Sequence, residues 1–232
     1  MGLKNCRACR KPFISEANRV KRLKWAKEHV GWTKEQWENV LWTDESPFVL
    51  RWKGNVRVWR RVGERYHPEC LQGTVKHDKK IMVWGCMTSK GTGAFVRIFG
   101  KLVKEKYRQI LIHHAVPSGK RLLGRGFTFQ QDNDPKHTAQ IVKKYFQNKE
   151  KDGTLRLLDW PSKSPDLNPI EHAWKILDDK LRDRNPQNEE QLFDSLKESW
   201  AKIDEKILGN LVDSMGRRCQ AVIANKGYPT KY

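Results

Sequence analysis

Apolar residues change their spacing twice along this chain. Between residues 40 and 99 they come as short continuous or alternating runs, the period of extended strands. Residues 40–43 lead straight into Asp44. Residues 48–52 and 56–59 flank Lys53-Gly54-Asn55 as a hairpin. Residues 81–87 form an unbroken apolar run fit for a buried strand, and residues 94–99 return from it after Ser89-Lys90-Gly91-Thr92-Gly93. From residue 103 short strands alternate with helical spacing. The pattern predicts a helix over 103–115, a strand over 127–132, a helix from Asp134 to about residue 148, a polar turn at 149–153 and a strand at 155–158. A helix then follows Asn168-Pro169, with Ile170, Trp174, Leu177 and Leu181 on one face. Residues 188–225 are helical in spacing, with Leu192, Leu196, Trp200 and Ile203 aligned. Ahead of all this, Ser15 caps a helix that Gly31 stops, and Thr33 with Gln36 caps a short second one. A strand-rich start, an alternating middle and a helical end predict α/β architecture around one mixed sheet.

Turn and cap residues separate structural acids from acids free for chemistry. Pro135 suits the first position of a helix, which makes Asp134 its N-cap. Asp132 is then left at the carboxyl end of a strand, where α/β sheets open onto a crevice. Asn168 is likewise an N-cap ahead of Pro169, with Glu171 just inside the helix. Glu171 reads either as the partner in an Asn-Pro-Ile-Glu capping box or as a reactive carboxylate. Asp44 closes a strand far upstream. If the two strands are neighbours, Asp44, Asp132 and Glu171 meet at one sheet edge. Three such acids repel one another unless a cation sits among them, and an all-oxygen set selects Mg²⁺ or Mn²⁺. Two such ions about 4 Å apart serve in-line displacement at phosphorus.

Composition narrows the partner. The chain has 232 residues, enough for one large domain or a domain with an appendage. Its net charge of +19 calls for a polyanion, nucleic acid first, with a solvated basic surface or a ribosome-like or heparin-binding role as the alternatives. Ten Trp exclude a disordered chain. No apolar run approaches the roughly 20 residues that span a bilayer. The start, MGLKNCRACRKPF, has no apolar leader, and Cys6 stands where a myristoylation motif needs Ser or Thr. The odd count of five Cys, without a leader, implies a reducing compartment. Cys6 and Cys9 have zinc-like spacing, but no second pair follows at finger distance, and only His67 and Cys70 offer themselves as partners. Gly91-Thr92-Gly93 reads as a turn rather than a phosphate cradle. No P-loop, GxSxG or HExxH motif occurs. His113-His114 reads as a surface pair; His137, one turn after Asp134, is placed to approach the metal site but reads first as a packing or phosphate-contact residue. The helix over 15–30 carries Arg19, Lys21, Arg22, Lys24 and Lys27, which suits either phosphate contact or a plain solvated face.

Several stretches together resemble one family. VLWTDES, IMVWGCMTSKGTGAF, FQQDNDPKHTA, LDWPSKSPDLNPIEHAW and RRCQAVIANKGYPTKY are similar to the Tc/mariner superfamily of DDE transposases, on the Tc side. The resemblance covers nearly the whole chain. It implies an RNase H-like (retroviral-integrase-like) fold with Asp44, Asp132 and Glu171 as catalytic and metal-binding triad. It also implies Mg²⁺ as cofactor with Mn²⁺ able to substitute, transposon-end DNA and a TA target as partners, a homodimer, no membrane, and a nuclear location. The activity implied is DNA cleavage and strand transfer in cut-and-paste transposition and integration. The alternative is a non-enzymatic, domesticated or degraded transposase-derived DNA-binding protein. The Gly-rich hairpin falls where the family carries a protein-contact segment.

Two departures stand out. Between Asp132 and Glu171 lie 38 residues, a few more than the family pattern, with the surplus around 148–153, where a surface turn absorbs it at little cost. The family's N-terminal tandem helix-turn-helix domain is also not in this sequence. The organisation expected is a basic helical arm at 1–38, an RNase H-like DDE core at 39–184, and a C-terminal helical extension at 185–232 packed on it.

Overall fold

A computed structural model describes residues 11, 13–50, 58–71, 79–181, 184 and 186–232. The expected Lys53-Gly54-Asn55 hairpin and the Cys6–Cys9 pair lie outside these residues. Helix α1 (Glu16–His29) starts where Ser15 accepts the Asn18 N–H, and α2 (Lys34–Glu38) is opened by a full Thr33–Gln36 capping box. Strand β1 (Val40–Val49) follows, then β2 (Lys80–Thr88) and β3 (Gly91–Ile98). Next come α3 (Lys104–Ile110), a π-helical turn (Leu111–Ala115) and α4 (Val116–Leu123). Strand β4 (Phe127–Phe129), α5 (Gln140–Lys151), β5 (Leu155–Leu157) and α6 (Ile170–Leu181) complete the alternating part. Helices α7 (Glu189–Ala201), α8 (Glu205–Asp213) and α9 (Met215–Ala224) follow.

The strands form a five-stranded sheet in the order β3-β2-β1-β4-β5. The β1–β2 and β2–β3 pairs are antiparallel, and the β1–β4 and β4–β5 pairs are parallel, so the sheet is mixed as the spacing predicts. Alternation along the strands fills two cores. Val40, Trp42, Val83 and Met87 face α1, α2 and α6–α9, whereas Leu41, Trp84, Cys86 and Phe129 face α3–α5. A run of aromatic contacts through Trp25, Trp37, Trp42 and Trp160 fastens α1 and α2 to the sheet. The glycines of the β2–β3 hairpin serve close packing and not a phosphate. A Cβ on Gly93 would stand 2.4 Å from Cys86 Sγ, and the Gly93 carbonyl accepts the Trp200 indole N–H at 3.1 Å.

Boundaries differ from the sequence expectation in several places: β1 runs on through the start of the strand expected at 48–52, and β4 stops at Phe129, three residues short of Asp132. The helix after residue 103 continues past Ala115 to Leu123 despite Pro117. Proline lacks the N–H that an α-turn needs, and the wider π turn immediately before it accommodates that loss. Asp134 caps only one turn: its carbonyl takes the His137 and Thr138 N–H groups and its carboxylate the Lys136 N–H, and the helix proper starts at Gln140. The same helix absorbs part of the expected polar turn, ending at Lys151. Asp44 does not close β1 but sits at its middle, opposite Gly85 of β2.

Candidate active site

Asp44 follows the point at which β4 leaves β1. Ladder pairing between them covers only Val40 and Leu41. Gln130 extends the contact by one step, with its side-chain carbonyl accepting the Thr43 N–H at 3.0 Å and its backbone carbonyl accepting the Thr43 hydroxyl at 2.8 Å. Beyond Thr43 the β4 side of β1 is open, and Asp44 stands at the opening. Its Oδ1 accepts the Glu45 N–H at 2.8 Å, and its Oδ2 accepts from Asn168 Nδ2 at 3.1 Å. Burial raises its carboxyl well above the ordinary range, and the charges of Glu171, Glu45 and Asp132 push the same way.

Asp132 lies three residues past the end of β4, with its side chain half exposed. His137 Nδ1 is 2.5 Å from Asp132 Oδ1, and His137 Nε2 is 3.2 Å from Glu45 Oε1. The buried imidazole also lies against the Tyr107 ring at 3.9 Å between centroids. Burial alone would raise Asp132, but the hydrogen bond and charge of His137, the Asp134 N–H and Lys136 hold its carboxyl below the ordinary value. Burial alone would lower His137, yet Asp132 and Glu45 carry it up to about 9. Lys136 closes the group with contacts of 3.1 Å to Glu45 and 2.8 Å to Asp134.

Glu171 is carried by the first turn of α6. The capping-box reading of this residue fails, because the Asn168 N–H donates to Pro165 O at 3.0 Å while the Asn168 side chain takes the Ile170 N–H at 3.4 Å. Burial raises the Glu171 carboxyl, with Arg218 partly offsetting it.

The three acids therefore share one electrostatic neighbourhood without closing on a point. Among the described residues, no three His, Cys, Asp or Glu side chains gather closely enough to hold a metal ion, and neither Asp44 nor Glu171 is in an ion pair. Two partly buried carboxylates raised by desolvation, one of them also by like charge, favour a cation. Their oxygen-only chemistry suits a hard divalent ion.

Two grooves meet beside Asp132. One, of about 530 Å³, is lined by Asp132, His137, Lys143 and Gln147. The other, of about 520 Å³, is lined by Lys21, Lys24 and Ser162, and the two share Asn133, Asp159 and Trp160. His137 and Glu45 are the functional candidates that sequence reading undervalued. His137 packs against Tyr107 as expected, and it also binds Asp132. The signal for Glu45 was only its adjacency to Asp44. His113 of the expected surface pair bonds Gln109 at 2.9 Å on an exposed face.

Comparison with known proteins shows the family and the fold. Residues 39–193 match the family model of the DDE superfamily endonucleases. The Tc1 transposase of Caenorhabditis elegans is 45% identical over 233 residues, spanning 100% of this chain and 84% of the transposase. The Tcb1 transposase of Caenorhabditis briggsae is 42% identical with the same coverage. In three dimensions the chain matches the catalytic domain of Mos1 mariner transposase with a TM-score of 0.72 at 17% identity, over 96% of this chain and 100% of that domain. It matches the Mos1 paired-end complex with Mn at 0.79 and 17% identity, over 100% of this chain and 69% of that one. These structural matches establish an RNase H-like fold. With the family model covering most of the chain and relatives above 40% identity along all of it, the protein belongs to the DDE superfamily endonucleases, as a Tc/mariner transposase of the Tc1 type.

Proposed function

We propose that this chain is the catalytic part of a cut-and-paste DNA transposase, with Asp44, Asp132 and Glu171 as its catalytic and metal-binding residues. Mg²⁺ is the cofactor and Mn²⁺ its substitute. The observation that carries the reading is the acidic neighbourhood of Asp44: Glu171, Glu45 and Asp132 all act on it, and no cation is paired with it or with Glu171 among the described residues. Divalent ions held there supply an activated attacking oxygen and a stabilised leaving oxygen for in-line displacement. In cleavage a water oxygen bonds to phosphorus and the P–O3′ bond breaks. In joining the freed 3′-hydroxyl oxygen would bond to a phosphorus of the target strand as that phosphorus loses its own P–O3′ bond, and the target 3′-oxygen leaves and takes up a proton.

The chain's own residues prepare this chemistry. Asp132, half exposed, is the acid nearest the grooves, and His137 orients it. Asp44 and Glu171 are the deeper pair. Lys21, Lys24 and Lys143 along the grooves suit a phosphate backbone running past Asp132. The DNA partners are transposon ends and a TA target, the working form is a homodimer, and the place of action is the nucleus. Among the described residues no helix is long and apolar enough to cross a membrane. The division into an arm at 1–38, a core at 39–184 and a helical extension at 185–232 follows, with α1 and α7–α9 sharing the sheet's core.

The test is cleavage and joining of terminal-repeat DNA in Mg²⁺ or Mn²⁺. Wild type should cut and join, while Asp44→Asn, Asp132→Asn and Glu171→Gln each lose both activities and still bind DNA. Equal cutting by wild type and Asp132→Asn would reject the assignment. Tight DNA binding by a wild type that never cuts would mark a non-enzymatic derivative.

A further inference from the structure

Asn168 is 3% exposed, and its carboxamide has three partners. Nδ2 donates to Asp44 Oδ2 at 3.1 Å and to the Thr43 carbonyl at 3.2 Å, and Oδ1 accepts the Ile170 N–H at 3.4 Å. A carboxylate and a carbonyl accept, and a backbone N–H only donates, so one orientation of the amide satisfies all three. The backbone of Asn168 is held as well. Its N–H bonds Pro165 O at 3.0 Å, and its carbonyl takes the Glu171 N–H at 3.3 Å and Arg218 Nη1 at 3.5 Å. Arg218 also donates to Asp166 O at 2.9 Å. The amide is thus aimed at Asp44 from a loop that cannot easily turn it away.

We propose that Asn168 is a positioning residue of the catalytic centre, its carboxamide tying the Asp44 carboxylate to the start of α6 and so setting the spacing between Asp44 and Glu171. The proposal rests on the reading of these two acids as metal ligands. A neutral donor suits the task. A lysine there would neutralise Asp44 in place of the metal, and an acid would add repulsion. With Glu45 N–H on one oxygen and Asn168 on the other, each Asp44 oxygen keeps lone-pair capacity for a cation. Outer-shell partners of this kind change metal affinity or activity by roughly 10–100-fold when removed.

Asn168→Asp keeps an oxygen to cap Ile170 N–H and puts an acceptor where the donor to Asp44 stood, and Asn168→Ser keeps a capping oxygen on a side chain too short to cap Ile170 and reach Asp44 at once. A capping role alone leaves melting temperature, cleavage and metal binding near wild type in both. The positioning role keeps the melting temperature but lowers the Mg²⁺-dependent cleavage rate by roughly tenfold or more and weakens Mn²⁺ binding, read from the resonance of free Mn²⁺. Should the aspartate variant fail to fold through repulsion from Asp44, the uncharged serine variant carries the comparison. Retained cleavage and Mn²⁺ affinity in the serine variant would overturn the positioning role and leave the triad standing. A wild-type chain that binds no Mn²⁺, or binds it equally well as Asp132→Asn, would overturn the triad and the positioning role together.

Discussion

Arg22 on α1 forks onto Asp166, 144 residues later, with Nη1 and Nη2 each 2.8 Å from a carboxylate oxygen. Both side chains are buried, at 0% and 6% exposure. Arg22 Nε also holds the Gly227 carbonyl at 2.9 Å, and Asp166 Oδ2 accepts from both the N–H and hydroxyl of Thr230. Removing one partner would leave the other charge buried and uncompensated. Asp166→Asn should therefore destabilise the fold by about 3–5 kcal/mol at neutral pH, measured by urea unfolding.

The same pair sets an acid limb of stability. Burial alone would raise Asp166, but Arg22 and Thr230 hold its carboxyl below the ordinary value. A depressed folded value means the contribution is complete above the unfolded pKa of about 3.9 and is lost as pH falls through the folded one. The stability gap between wild type and Asp166→Asn should stay level from pH 7 to about 5 and shrink below about 4. A gap unchanged at pH 3 would contradict this.

Gly119 has no room for a methyl group. A Cβ there would stand 2.3 Å from the Phe127 ring, which is fully buried. Gly119→Ala should cost about 1–3 kcal/mol by overpacking. Combined with Phe127→Leu, the loss should be smaller than the sum of the two single losses, because the added methyl occupies the space the ring vacates. Additive losses in thermal melts would place the clash elsewhere.

His137→Ala removes the partner that orients Asp132 while leaving the acid in place. Cleavage in Mg²⁺ should fall by roughly 10–100-fold. DNA affinity should change little, since that imidazole is turned toward Asp132 and Glu45. A drop in binding with unchanged turnover of bound DNA would instead make His137 a phosphate contact.

DNA binding by these 232 residues, with a net charge of +19, should be dominated by phosphates. Affinity should fall steeply with salt and depend little on sequence, with any TA preference arising from the deformable step at the joining site. In a gel-shift competition at about 0.15 M salt, terminal-repeat DNA should gain less than roughly a hundredfold, about 2.7 kcal/mol, over scrambled DNA. A larger preference would mean that side chains here read base edges.

Helix caps and buried strand runs were legible because each depends on a few neighbouring residues. Ser15 and Thr33 cap their helices as expected, and Lys80–Thr88 is the buried strand its apolar run predicts. Asn168 was legible as a cap, but its grip on Asp44 was not, since 124 residues separate them. The middle placement of Asp44 depends on β2 pairing with β1 as far as Val49, which no local pattern encodes. The break at 135–139 was hidden for the same reason: His137 is drawn to Asp132 and to Glu45, and the latter lies 92 residues away. The continuation of the helix past residue 115 was not legible, because the π turn that accommodates Pro117 has no sequence signature of its own.

The loop before Glu171 borrows its partners from far away in both directions, from Arg22 and from Thr230, which lies 64 residues beyond Asp166. Contacts between such distant residues close late in folding, after the hairpin of β2 and β3 and the local helices. Pulse labelling during refolding should find the Thr230 N–H protected after those of β2. Synthesis imposes the same order. A chain still emerging can complete its sheet and α6 while the loop that holds Asn168 waits for Thr230, so the three acids acquire their final spacing only when translation has passed α9.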